Sequence, residues 1–225
     1  PSAPDEGPTA EDIPFNADDY EQVSDADALQ VWIDRIYEFG HVAVDTETTG
    51  LNEMTAELVG ISLAVEPGQA CYIPLIHKAN GGSDLFGSDD LAEGQMTTEE
   101  VLKRLTPMLE DPSILKIGQN MKYDLKIFAQ LGINVAPIED TMLMSYAMHA
   151  GLHNHGMDTL AERYLGHTPI PIKPLLGSGK SAITFDKVPL SEAVKYAAED
   201  ADITLRLWQM FKPQLHRIQV TKVYE

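Results

Sequence analysis

Apolar and polar positions alternate along this chain with two periods. In "DADALQVWIDRIYEFG" the apolar residues Leu29, Val31, Trp32 and Ile36 follow helical spacing, and Gly40 supplies a stop. Three strand-like runs come next, "HVAVDTE", "LVGISLAV" and "ACYIPL". The turn signal "EPGQ" between the second and third predicts a hairpin. "GGSDLFGSDDLAEGQ" reads as a polar loop, and "TTEEVLKRLTPMLED" as a helix capped by Thr97 or Thr98 with acids in its first turn. "SILKIG" is a short strand. "NMKYDLKIFAQLG" is a helix starting at Asn120 and stopped by Gly132. "EDTMLMSYAMHAG" and "MDTLAERYLG" predict two more helices, with Asp140 and Asp158 as caps. A Pro/Gly-rich loop precedes the long helical pattern "LSEAVKYAAEDADITLRLWQMF". Strands early and helices mixed in later predict an α/β fold with a mixed sheet.

Composition narrows the function classes. With 44% hydrophobic and 23% charged residues the chain has the balance of a globular protein. No apolar run approaches the length of a membrane span, no signal-peptide pattern opens the chain, and no membrane partner is expected. Cys71 is the single cysteine, so no internal disulfide can form, and a buried reduced thiol in a cytoplasmic protein is expected. A net charge of −19 argues against a broad basic surface for duplex nucleic acid, yet leaves room for an acidic site that carries its own metal. The first 30 residues hold nine of the 35 acids and no Lys or Arg. Residues 1–23 therefore read as an acidic, Pro-rich linker or arm, and 24–225 as one domain excised from a longer chain.

Three acidic motifs carry candidate chemistry. Asp45 and Glu47 stand two apart on a strand and share a face, where two carboxylates repel unless a cation lies between them. Oxygen-only ligands suit Mg²⁺ or Mn²⁺. Asn120 and Asp124 are one helical turn apart, as are Tyr196 and Asp200. Glu199 and Asp202 point elsewhere on that last helix and read as solvated acids. Each motif alone also fits a bland role: a strand end entering a turn, a helix-dipole acid, a half-buried core tyrosine.

Together, D-x-E on the first strand, N-x-x-x-D mid-chain and Y-x-x-x-D on the last helix resemble the DEDD-type 3′–5′ exonucleases with tyrosine in the third motif. More narrowly they resemble the proofreading exonuclease domains of bacterial DNA polymerase I. "DTETTGL", "VGISLAVEPGQACYIPL", "IGQNMKYD", "DTMLMSYAMHAG", "MDTLAERYLG" and "YAAEDADITLRL" carry the likeness over about residues 25–225. The resemblance implies a ribonuclease H-like mixed sheet flanked by helices. It implies that Asp45, Glu47, Asp124 and Asp200 hold two divalent ions, Mg²⁺ or Mn²⁺ with Zn²⁺ as a further option, and that Tyr196 positions the attacking water. Thr46, Leu51, Gln119, Asn120 and Tyr123 match strand-contacting positions, Leu51 as a wedge against the terminal base. The implied partners are the 3′ end of single-stranded DNA and a polymerase domain of the same parent chain, in a monomer of the bacterial cytoplasm at the nucleoid.

The chain departs from that pattern at two points. Ile172 stands near a position where a phenylalanine stacks on the penultimate base, and Asn154 where some relatives place an arginine. "PLLGSGKS" imitates a phosphate-binding loop but carries Pro174 where the pattern requires Gly. Lys180, with Lys122 and Lys126, remains a candidate phosphate contact. His149, His153 and His155 read as a surface loop, and the methionines of "TMLMSYAM" as core. Two other functions share these features: an RNase D-like exoribonuclease with the same acidic layout, and a catalytically inactive module within a polymerase.

Overall fold

The computed structural model describes residues 13–79 and 90–225, and for Lys180 the backbone alone. The start of the acidic arm and most of the polar loop at 81–95 lie outside the described residues. The described elements are β1 (Glu21–Gln22), α1 (Ala26–Phe39), β2 (His41–Thr48), β3 (Leu58–Glu66), β4 (Gln69–Pro74), α2 (Thr98–Leu109), β5 (Leu115–Gly118), α3 (Lys122–Gln130), β6 (Ile138–Asp140), α4 (Thr141–His149), α5 (Met157–Leu160), α6 (Ile172–Leu176), α7 (Leu190–Arg217) and α8 (Thr221–Tyr224). The sheet runs β1-β4-β3-β2-β5-β6. β2 is antiparallel to β3 and parallel to β5, so the sheet is mixed, as the sequence predicts. Among the described residues no helix is long and apolar enough to cross a membrane.

Alternation along β2 decides which face each side chain takes. Val42 and Val44 join the core under α1, α2 and α3, with Trp32, Ile36, Leu105 and Phe128. Ala43 faces the other way, packing with Ala64 and Ala70 against Ala197, Ala198 and Ala201 of α7. Small residues on both partners let the helix lie close to the sheet. Asp45 and Glu47 share parity with Ala43, so they face α7, and Thr46 faces α3. The register shifts between Glu47 and Thr48, a bulge of the kind that ends pairing and re-aims side chains beside functional sites. Beneath Glu47, Gly60 is its cross-strand partner. A Cβ there would meet the Tyr72 hydroxyl at 2.1 Å, so the site accepts only glycine with Tyr72 in place.

Local signals explain most helix ends. Asp25 accepts from the amides of Asp27 and Ala28 at the start of α1, and Gly40 closes it in the left-handed region. Thr97, not Thr98, caps α2. Asp140 accepts from Met142 and Leu143 to cap α4, and also from Asn120 and Met121. Four backbone donors thus converge on one carboxylate that ties α4 to the loop before α3.

Several expectations need correction. Val31 is 57% exposed, and the buried stripe of α1 is Leu29, Trp32, Ile33 and Ile36. Asn120 is left-handed (φ 61°) and lies outside α3, so it does not share a helical face with Asp124. Gly156, not Asp158, precedes α5 as its cap, and the following turn widens into a π-helix over Ala161–Leu165. The residues ahead of Ser24 contribute to the fold: β1 pairs with β4, Glu21 accepts from the Trp32 indole at 2.9 Å, and Tyr20 donates to Asp202 at 2.9 Å. Cys71 is fully buried, and burial pushes its thiol well up.

One buried cation stands out away from the sheet's carboxylates. Lys116 on β5 has no exposed surface, and its ammonium donates to the carbonyls of Met108, Asp111, Ile114 and Ala136. Burial lowers it to about 8, against a smaller opposing pull from Asp111.

Candidate active site

Strand β2 and helix α7 bring the acids together. One carboxylate oxygen each from Asp45, Glu47 and Asp200 lie within 4.8 Å of one another. Asp124 adjoins this triplet closely enough for its charge to raise Asp45 and Glu47, and Thr46 on the opposite parity of β2 holds its Oδ1 with both backbone amide (3.1 Å) and hydroxyl. The D-x-E spacing therefore does two jobs, with the outer acids aimed at α7 and the middle threonine aimed at α3. Tyr196, one turn before Asp200, lies close enough to act on its carboxylate, holding it down against burial.

The charges are frustrated. Burial, then Asp124, Glu47 and Asp200, push Asp45 well above the usual carboxylate range. Burial, then Asp200 and Asp124, do the same to Glu47. Burial raises Asp200 to about 8 against the Tyr196 hydroxyl, and Asp124 to about 7 against the hydrogen bonds from Thr46. Hard oxygen donors crowded in this way fit divalent cations such as Mg²⁺ or Mn²⁺. Acids with raised folded values bind more protons folded than unfolded above about pH 4. Without metal, their contribution to stability is lost as pH rises from there through 8. The melting temperature in chelator should thus fall between about pH 5 and 8, and Mn²⁺ or Mg²⁺ should restore it most at pH 8. A flat melting profile across that range, with no metal response, would reject the cluster as a cation site.

The triplet lies in a cleft of about 500 Å³. One side is the turn after β2, where the hydroxyls of Thr48 and Tyr123 lie 2.6 Å apart over the carbonyl of Gly50. Leu51 on that turn is 96% exposed. Gln119 and Asn120 also line the cleft. The Gln119 amide is held at both ends, donating to the His155 carbonyl at 2.8 Å and accepting from Thr141. Ile172, Leu176, Ile183 and Phe185, from the segment before α7, complete the lining.

A family model described as a 3′–5′ exonuclease, of the DNA polymerase A type, matches residues 20–216. The chain belongs to this 3′–5′ exonuclease family. It is 47% identical over 222 residues to DNA polymerase I of Rhizobium leguminosarum, covering 95% of this chain and 22% of that protein. It is 38% identical over 211 residues to DNA polymerase I of Pseudomonas aeruginosa, covering 92% of this chain and 22% of that one. The exonuclease chain thus spans about a fifth of these relatives. Among solved structures, Escherichia coli RNase D superposes with a TM-score of 0.63 at 21% identity, over 91% of this chain and 47% of that one. Brucella melitensis NrnC gives 0.63 at 22% identity, over 91% and 85%. These two likenesses establish the shared fold.

Some expected features lie elsewhere in the exonuclease domain. Asn154 is exposed and accepts from the Gly156 amide, closing a local turn. Lys126 pairs with Glu53. Lys180 sits in a short 3-10 turn at Gly179–Ser181, its side chain outside the described residues. The three histidine rings pack at tilted angles, with His153–His155 centroids 4.9 Å apart and His153 bonded to the Tyr164 hydroxyl. Sequence reasoning missed Thr46 as the holder of Asp124. It also missed Glu199 and Asp202, which are buried rather than solvated. Asp202 pairs with Arg206 at 2.8 Å and accepts from the Gly68 amide. Only the proximity of Arg206 four residues on could have flagged it.

Proposed function

We propose that this domain removes nucleotides from the 3′ end of single-stranded or frayed DNA, releasing nucleoside 5′-monophosphates, as the proofreading part of a DNA polymerase I. The observation that carries the reading is the Asp45–Glu47–Asp200 triplet in a cleft, in a chain 47% identical to a DNA polymerase I. Asp45, Glu47 and Asp200, with Asp124 beside them, would hold two divalent ions, Mg²⁺ or Mn²⁺, with Zn²⁺ as the third option. Bound there, such ions acidify the attacking water and offset charge on the leaving 3′-oxygen.

The chain's own residues supply position. Tyr196 keeps its proton, because burial and the neighbouring carboxylates push its phenol far up. It orients the attacking water by hydrogen bonding and does not serve as its base. Tyr196→Phe should slow turnover about tenfold, the scale of one positioning hydrogen bond in a dry site, with the KM little changed. Equal turnover numbers for variant and wild type would remove this role. Leu51 wedges against the terminal base, and Thr46, Asn120, Gln119 and Tyr123 border the strand's path. Ile172 offers an aliphatic surface in place of a stacking ring. Lys180 would contact a phosphate of the strand.

The parent chain's polymerase domain would supply the basic duplex groove that a net charge of −19 denies this piece. Residues 1–23 would form an acidic arm whose later part docks on this domain through Phe15, Tyr20 and β1, and the setting is the bacterial cytoplasm at the nucleoid. The RNase D fold likeness keeps an RNA substrate in view. The test is a gel assay with 5′-labelled DNA and RNA of one sequence, in Mg²⁺, Mn²⁺ and EDTA. A metal-dependent ladder shortening DNA from its 3′ end is expected. Faster RNA trimming would transfer the domain to the exoribonuclease reading, and no cleavage by folded protein would favour an inactive module.

A further inference from the structure

Glu199 adjoins Asp200 in sequence yet serves a different contact. Its side chain is 3% exposed. Oε1 lies 2.8 Å from His167 Nε2, and Oε2 accepts the amide of Ile170 at 2.6 Å. Ile170 opens the segment 170–185, whose Ile172, Leu176, Ile183 and Phe185 line the cleft. That segment has little backbone attachment at its near end. Among the described residues, Gly177 bonds Lys173, Ala182 bonds Gly179, and Ile183 bonds Leu176, all within the segment itself. The Ile170–Glu199 bond therefore ties its root to the body of the domain. The acidic arm backs this tie from outside. Phe15 stacks on the His167 ring with centroids 3.7 Å apart and planes 12° from parallel. The Arg206 guanidinium lies 4.0 Å from the Phe15 ring, and it also donates to the Ile13 carbonyl.

We infer that Glu199 is a positioning residue that fixes segment 170–185 as a wall of the strand-binding cleft, and that Phe15 on the arm buttresses the His167 side of that anchor. This rests on the nuclease reading for its consequence, since a loosened wall weakens grip on the strand. The acids that do the chemistry keep their own supports, β2 and α7. Loss of the anchor should therefore appear in KM more than in kcat.

The experiment uses the 225-residue chain and three variants, Glu199→Ala, Glu199→Gln and Phe15→Ala. It measures cleavage of labelled single-stranded DNA in Mn²⁺, binding of the same strand in non-supporting Ca²⁺, and amide exchange across 170–183. Glu199→Ala should raise KM about tenfold with kcat within about twofold, Phe15→Ala should raise it about threefold, and Glu199→Gln, which keeps an acceptor for Ile170, should recover most of the loss. Exchange in 170–183 should quicken in both alanine variants. Unchanged KM and exchange in folded variants would overturn the inference, as would a loss confined to kcat. If Glu199→Ala does not fold, Phe15→Ala decides by the same criteria. If the wild-type chain cleaves no DNA, the nuclease reading fails, while Ca²⁺ binding and exchange still decide the anchoring.

Discussion

Asp200→Ala is expected to reduce 3′-end cleavage by about three orders of magnitude or more. The carboxylate stands at the junction of two sets of residues. It belongs to the triplet with Asp45 and Glu47, and it is the charge acting most strongly on the Tyr196 phenol. On the proposed function, removing it takes away a cation ligand and a neighbour of the positioning phenol together. The fold should gain rather than lose, because burial and nearby acids oppose the ionised Asp200. In chelator at pH 8 the variant should melt at or above the wild-type temperature, and it should lose most of the metal-induced rise. Single-turnover cleavage of labelled single-stranded DNA, beside melting curves with and without Mn²⁺, checks both halves. Cleavage within tenfold of wild type would remove Asp200 from the reaction.

Lys116→Met should be the most damaging change outside the cleft. The methionine matches the length of the lysine stem but removes the ammonium from the carbonyls of Ile114 and Ala136, while those of Met108 and Asp111 keep the amides of Asp111 and Ile114. The ammonium also meets the negative end of α2, whose last residues supply Met108 and the turn after it. Two buried acceptors left without a donor should cost about 2–5 kcal/mol, or roughly 10 °C in melting temperature for a domain of this size. Thermal denaturation of the variant beside wild type at pH 7 measures it. A shift under about 2 °C would show that water reaches and satisfies the carbonyls.

Much of this architecture was legible because local signals and tertiary demands agreed. Two long apolar strands joined by "EPGQ" had to form a hairpin, and β3 and β4 do. The D-x-E pair had to share a face, and its parity with Ala43 places both acids before α7. Long-range features were not legible. Glu199 and Asp202 look like surface acids on a helical wheel, yet α7 is covered by the sheet, by α4 and by residues 13–20 on different sides, so few of its faces are free. β1 and β6, of two and three residues, carry no period that a sequence can display. Asn120 follows a strand and precedes a helix, and nothing in "GQNMKYD" announces its left-handed turn. Asp124 matched a motif, but the threonine that holds its carboxylate lies 78 positions away.

Helix α7 runs unbroken for 28 residues, through Pro213, from the cleft to the cluster around Phe211 and Leu215. Tyr196 and Asp200 are therefore borne on the same rod that seals the apolar interior several turns further along. Loosening of that interior should therefore reach the cleft along the same helix. On the proposed function, cleavage and folding should be lost together on heating.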